Sequence, residues 1–153
     1  METEQKIEFI KASIAEIPLL SKMIEKLYIS ENTVYREADV NSALNELLSS
    51  DADGGAWLIH SQGGIAGYMI IGSAFSVEFG GKTAFIDELY IIDSYRGKGI
   101  GRKALEFAEV YAGTRGYKYL RLEVELSNTN AQKIYRANGF EEHERYIMTK
   151  KLK

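Results

Sequence analysis

Between residues 84 and 126 the hydrophobic period of the chain changes twice, and that change constrains the fold more than any other stretch. Residues 84–92 form a long apolar and aromatic run interrupted by Asp87 and Glu88, as a strand does. A glycine-rich turn follows, Arg96-Gly97-Lys98-Gly99-Ile100-Gly101. Residues 100–112 then carry Ala104, Leu105, Phe107, Ala108 and Tyr111 on or beside one helical face, with Gly113 or Gly116 placed to end the helix. From Tyr119 to Leu126 the period returns to two. Leu120, Leu122, Val124 and Leu126 share one face, and Arg121, Glu123 and Glu125 the other. A helix between two strands is a βαβ crossover, so these strands are expected to lie parallel.

The flanking segments add antiparallel structure. Residues 6–11 alternate as a half-buried strand, and Ser13 or Ala15 enters a helix whose Ile17, Leu20, Ile24 and Leu27 are spaced by three and four, with Pro18 in its first turn. A second helix is expected over residues 38–48. Residues 57–60, a turn at 61–64 and residues 65–71 read as a hairpin, continued by 73–77 and a turn at 79–82, so the middle of the chain is a meander. Ser127 or Asn128 caps a short helix through Asn138, Gly139 takes the left-handed C-terminal position, and residues 144–151 supply a last strand. The order predicts an α+β fold with a mixed, mostly antiparallel central sheet flanked by helices. With no repeat, no low-complexity tract and one proline, residues 1–153 read as a single domain.

Composition narrows the chemistry. Zero cysteines exclude disulfides, thiolate nucleophiles and cysteine zinc sites; the two histidines, His60 and His143, lack ligand spacing and read as surface residues, so no metal is expected. A net charge of -3 argues against nonspecific nucleic-acid binding, which needs a basic face. No apolar run reaches the roughly 20 residues of a membrane span, and the polar residues 1–8 show no signal segment, so a cytoplasmic location is the expectation.

The turn at 96–101 is an anion site in physical terms. Glycines let a ligand approach the backbone, N–H groups point outward, and the helix N-terminus is partially positive. Arg96, Lys98, Arg102 and Lys103 add four cations within eight positions, which suits a phosphorylated ligand better than a bare carboxylate. Gly99 follows Gly97-Lys98 where a P-loop needs Ser or Thr, so that site is excluded. Residues 99–104 do satisfy G-x-G-x-x-A, with Glu123 about 20 residues on, which keeps an NAD-binding Rossmann-type protein as an alternative. Against it stand the residues between strand and turn, and the preceding meander.

Arg96-x-x-Gly99-x-Gly101 resembles the acetyl-CoA signature of the GCN5-related N-acetyltransferases (GNAT). It follows Ile86-Asp87-Glu88-Leu89-Tyr90-Ile91, and Asn128-x-x-Ala131-x-x-x-Tyr135-x-x-x-Gly139-Phe140 resembles that family's second motif. The coarse element order matches over nearly the whole chain. The resemblance implies an acetyl-CoA-dependent N-acetyltransferase with direct transfer to a primary amine of a small molecule or peptide. It implies that residues Arg96, Gly97, Lys98, Gly99, Ile100 and Gly101 hold the CoA pyrophosphate, with Arg102 or Lys103 on the 3′-phosphate. Leu89, Tyr90 and Ile91 would pair with the pantetheine arm, which Asn128 would meet from the far side. Family habit also makes a homodimer an expectation.

Amine acetylation needs a base, a carbonyl-oxygen donor and an acid for the thiolate. A tyrosine hydroxyl, of pKa about 10, stays protonated near neutrality and can serve a thiolate. Tyr135 takes that role under the resemblance; its alternative is packing beside Ala131 and Ile134. A backbone N–H near Leu89, Tyr90 and Ile91 is expected as the oxygen donor. Strand alternation sends Asp87 and Glu88 to opposite faces, so only one is expected in an acceptor cleft, and Glu88 is favoured as base over a plain surface carboxylate. Tyr28 and Glu31, with Tyr35 beside them, fall where the family reads its acceptor. Asp87, Glu88, Glu25 and Glu31 suit a cationic amine. The competing class is a noncatalytic acyl-CoA-binding module.

Overall fold

The five strands β1 (Ile7–Lys11), β2 (Gly54–Ser61), β3 (Gly64–Ser76), β4 (Gly81–Ile91) and β5 (Leu120–Leu122) form one sheet in that order. They are seen in a computed structural model that describes residues 5–153; half of the polar stretch at residues 1–8 therefore lies outside the described residues. The first three pairings are antiparallel, and β4 with β5 is parallel. Parallel is the orientation that a single crossover helix gives two paired strands. The helices are α1 (Ile17–Ser30), α2 (Glu37–Leu48), α3 (Ile100–Thr114) and α4 (Thr129–Ala137).

Local chemistry explains the helix boundaries. Ser13 and Glu16 form a reciprocal capping box over a single 3-10 turn, Ile14–Glu16, and α1 follows with Pro18 in its first turn, where the missing N–H costs nothing. α3 runs through Gly113 and stops at Gly116. That residue has φ 73°, and the N–H of Tyr117 bonds back to the carbonyl of Ala112.

Both sheet faces near β2 and β3 are covered. On one, Leu20, Met23 and Ile24 of α1 and Leu44 of α2 pack with Ala56, Leu58, Tyr68, Ile70 and Tyr90. On the other, Phe107 of α3 stacks on Phe9 at 4.5 Å and meets the edge of Trp57, which also meets Tyr111. Burying one face on two helices and the other on a third leaves the rims of the sheet for chemistry.

Two strand expectations are corrected. β5 spans three residues rather than 119–126, and no strand forms over 144–151. Alternation specifies which side chains would share a face, but a strand needs a neighbouring backbone to bond, and these segments have none assigned. The chain divides by contacts into two units, one ending at Glu123 and one running Val124–Lys153. The sheet and α1–α3 belong to the first; α4 belongs to the second.

At Gly67, opposite Ile91, a Cβ would lie 1.9 Å from the carbonyl oxygen of Tyr90. Gly67→Ala is therefore expected to lose about 3 kcal/mol, the upper part of the usual overpacking range. Urea denaturation measures it; a loss within about 0.5 kcal/mol, the scale of an ordinary surface change, would contradict this β3–β4 pairing.

Candidate active site

β4 carries an irregularity that changes where its acids point. Ile70 of β3 pairs with Glu88 and Ile71 pairs with Ile86, which leaves Asp87 as an extra, unpaired residue. This is a β-bulge, and it breaks the strict alternation of the strand. Asp87 and Glu88 consequently border the same cleft instead of facing opposite sides of the sheet, contrary to the sequence expectation. The cleft, of about 270 Å³, lies between α1, α2 and β4, with Tyr28 on its wall and Ile70 beneath.

Glu88 is held at both oxygens. Tyr28 of α1 donates its hydroxyl to Oε2 at 2.7 Å, and Tyr68 of β3 donates to Oε1 at 2.8 Å. Burial pushes the Glu88 carboxyl above the usual carboxylate range. The two phenols oppose that shift, and the neighbouring Asp87 and Glu31 charges add to it. Asp87 is raised as well, by burial. Both phenols are pushed far up, first by burial and then by the Glu88 carboxylate, so they stay protonated donors. Tyr35 is anchored away from the acid: its hydroxyl shares a 2.6 Å hydrogen bond with Ser21, and its ring meets the edge of Tyr28. Glu31 caps the end of α1 and enters through its charge.

At the far end of β4, the turn supplies positive potential. Gly97 and Gly99 have φ of 74° and 76°, conformations that glycine adopts without strain. The N–H groups from Gly97 through Arg102 have no acceptor among the described residues, and the last three are the first turn of α3. Successive unpaired N–H groups at a helix start make a concave anion site. Arg96 is partly used as a staple: its Nε donates to the carbonyl of Ile91 at 3.0 Å, and it pairs with Asp93 at 3.1 Å. Lys98 lies over the Tyr95 ring. Arg102 and Lys103 share Glu106 in exposed ion pairs, weak enough to exchange for a phosphate.

Gly101 leaves this cradle open to a polyphosphate. Its φ is not positive, and a Cβ there would meet nothing of the protein within 4 Å. Neither backbone conformation nor internal packing requires glycine at this position, which is what close approach by an external group would explain. The residues present fit such a group.

β5 pairs only with Ala84, Phe85 and Ile86, ahead of the two cleft acids. Leu89, Tyr90 and Ile91 bond to β3 and have no second strand partner among the described residues. Asn128 and Tyr135 lie in the second unit. Asn128 caps α4, its Oδ1 accepting from the Ala131 N–H at 3.2 Å, and Tyr135 meets the edge of Phe140 at 5.8 Å. His60 is not in the cleft; it lines a polar depression beside Gln62 and Lys6. Sequence reading missed Tyr68, Arg36 and Asp39. Nothing local marks Tyr68 as a carboxylate partner, because the contact crosses 20 positions.

Comparison with known proteins agrees with this geometry. A sequence profile described as "Acetyltransferase (GNAT) family" matches residues 21–140. An uncharacterized N-acetyltransferase of Archaeoglobus fulgidus is 34% identical over 65% of this chain and 68% of its own. The chain spans less than half, 44%, of another curated relative, the uncharacterized N-acetyltransferase YhfO of Bacillus subtilis, at 33% identity over 43% of this chain. Among solved structures, an integron cassette protein from the Cole Harbour Salt Marsh metagenome superposes with a TM-score of 0.82 at 26% identity, covering 95% of this chain and 90% of that one. A predicted acetyltransferase of Clostridium acetobutylicum, solved with acetyl-CoA, gives 0.80 at 17% identity over 95% and 96%.

Removing the Tyr68 hydroxyl leaves a charged oxygen without its donor. Tyr68→Phe is expected to destabilise the protein by about 1–3 kcal/mol where Glu88 is ionised. The phenol stabilises the charged carboxyl, so the loss is full above the raised native pKa of Glu88 and shrinks as pH falls through it. Urea titrations at about pH 8 and about pH 4 measure this difference. An equal loss at both would mean that the hydroxyl does not serve the ionised acid.

Proposed function

The chain belongs to the Acetyltransferase (GNAT) family, and on that premise we propose that it transfers the acetyl group of acetyl-CoA directly to a primary amine of a small molecule or peptide. One observation carries the reading: the strand that presents Glu88 to a cleft is followed, after a single 3-10 turn at Asp93–Tyr95, by a turn whose N–H groups, Gly97 through Arg102, have no acceptor among the described residues. The proposed acid and the proposed polyphosphate site are thus close along one stretch of chain.

Acetyl-CoA supplies a thioester carbonyl open to attack by an amine. We assign Arg96, Gly97, Lys98, Gly99, Ile100 and Gly101 to its pyrophosphate, with Arg102 or Lys103 on the remaining phosphate. The open backbone edge at Leu89, Tyr90 and Ile91 suits the extended pantetheine arm and offers an N–H to the carbonyl oxygen. Asn128 is assigned to the arm's other side. Glu88, raised above ordinary carboxylates, is the base that takes the proton from the amine, since a base works best when its pKa approaches the working pH. Asp87, Tyr28 and Glu31 hold the cationic acceptor beforehand. As the N–C bond forms and the C–S bond breaks, Tyr135 gives its proton to the departing thiolate and recovers one from the nitrogen, whose other proton Glu88 has already taken. A homodimer is part of the proposal.

The alternatives separate on binding and turnover. CoA, and not NAD, is expected to raise the melting temperature, by the equivalent of about 2.7 kcal/mol at a hundredfold excess over Kd. Gly101→Ala should leave the ligand-free melting temperature unchanged or higher, because nothing internal is displaced, and should cut the CoA-induced rise. Amine-dependent thiol release is expected, falling about 100-fold or more in Tyr135→Phe. Stabilisation by CoA with no thiol release across a broad amine panel would favour the noncatalytic binding module; stabilisation by NAD alone would overturn the assignment.

A further inference from the structure

The acceptor cleft has a polarity that a bare amine does not use. Asp87 and Glu88 are joined on it by Asp39, and its apolar lining includes Ile24, Val40, Leu44, Leu47 and Ile70. Arg36 also borders it, at the residue that starts α2. The backbone of Arg36 is fixed there, its carbonyl accepting from the Val40 N–H at 3.0 Å. Its guanidinium makes no ion pair or hydrogen bond among the described residues, although Asp39 is less than one helical turn away and two further carboxylates share the cleft. The side chain is exposed and holds no part of the fold together.

Such a cation is costly to explain in a site that takes only ammonium groups, because it repels them. A guanidinium stays charged at any working pH and presents a planar fork of donors matched to a carboxylate. The apolar walls favour methylene or branched hydrocarbon over hydroxyl-rich surface. A volume of about 270 Å³ lies just below the roughly 300 to 1,000 Å³ usual for ligand sites and suits a small acceptor.

We propose that the acceptor is an apolar amino acid or short apolar peptide whose amine meets Asp87 and Glu88 while Arg36 binds its carboxylate. The inference rests on the acetyltransferase reading and extends it from any primary amine to one chemical class. Arg36 is then a specificity-determining residue, and the apolar lining binds the hydrocarbon between the two charged ends.

The test compares L-leucine and leucyl-leucine with their C-terminal amides, with spermidine as a polycation. The amides have the more easily deprotonated amines, so a preference for the acids cannot come from intrinsic reactivity. In thiol-release assays kcat/KM for the acids is expected to exceed that for the amides by about tenfold, consistent with a charge-assisted contact in a partly open site. Arg36→Ala should bring the ratio toward one, and Arg36→Glu should invert it. Equal rates for acids and amides, spermidine as the best acceptor, or a ratio that survives Arg36→Ala would overturn the proposal. Calorimetric titration of leucyl-leucine and its amide reads the same contact without turnover. Preferential binding of the acid that Arg36→Ala abolishes, with no thiol release from any amine, would sink the enzymatic reading while upholding the anion-reading role of Arg36; equal binding of acid and amide would sink that role.

Discussion

A carboxylate taken out of water must be paid for with donors, and Glu88 obtains them from two different elements. Tyr28 reaches it from α1 and Tyr68 from β3, while Glu88 itself stands on β4. One acid therefore fixes the position of a helix relative to two strands. Each phenol alone would offset part of the desolvation cost; together they hold both oxygens and oppose the upward shift that burial imposes on the carboxyl. α1 is tied over this group through Tyr28, and the acid keeps a defined direction because both its oxygens are bonded.

β4 distributes this order to the rest of the site. Its bulge at Asp87 turns a second acid to the cleft, and its last residues run on without a partner strand on the β5 side. Beyond them, Arg96 bonds back to the carbonyl of Ile91, which couples the turn to the strand end. The glycine turn is thus not a loose loop hung on the sheet. Sites on strands and helix starts hold their geometry more closely than sites on loops, and here Glu88 and the glycine turn are separated by the end of β4 and a single 3-10 turn.

Much of this was readable before any coordinates. The crossover helix, its glycine-rich entry and the parallel pairing followed from residues close together in sequence: periodicity over 100–112, glycines at 97 and 99 that take left-handed backbone, and Asn128 bonding the start of α4. The alternating segment at 144–151 was equally clear as a pattern, yet no strand is formed there. Pattern names a face; pairing needs a second backbone, and nothing within eight residues can supply it.

Sequence by itself determined the order of elements from β1 to α4, the glycine-rich turn and its cations, because capping, glycine conformation and amphipathic period act over a few residues. Tertiary structure alone decided that Asp87 joins Glu88 on one cleft, that Tyr68 bonds the acid, and that Arg36 stands unpaired on the same cleft. Those outcomes depend on a register shift between β3 and β4 and on how two helices lie over the sheet. They are sums of contacts between residues far apart in the chain, and no local propensity encodes them.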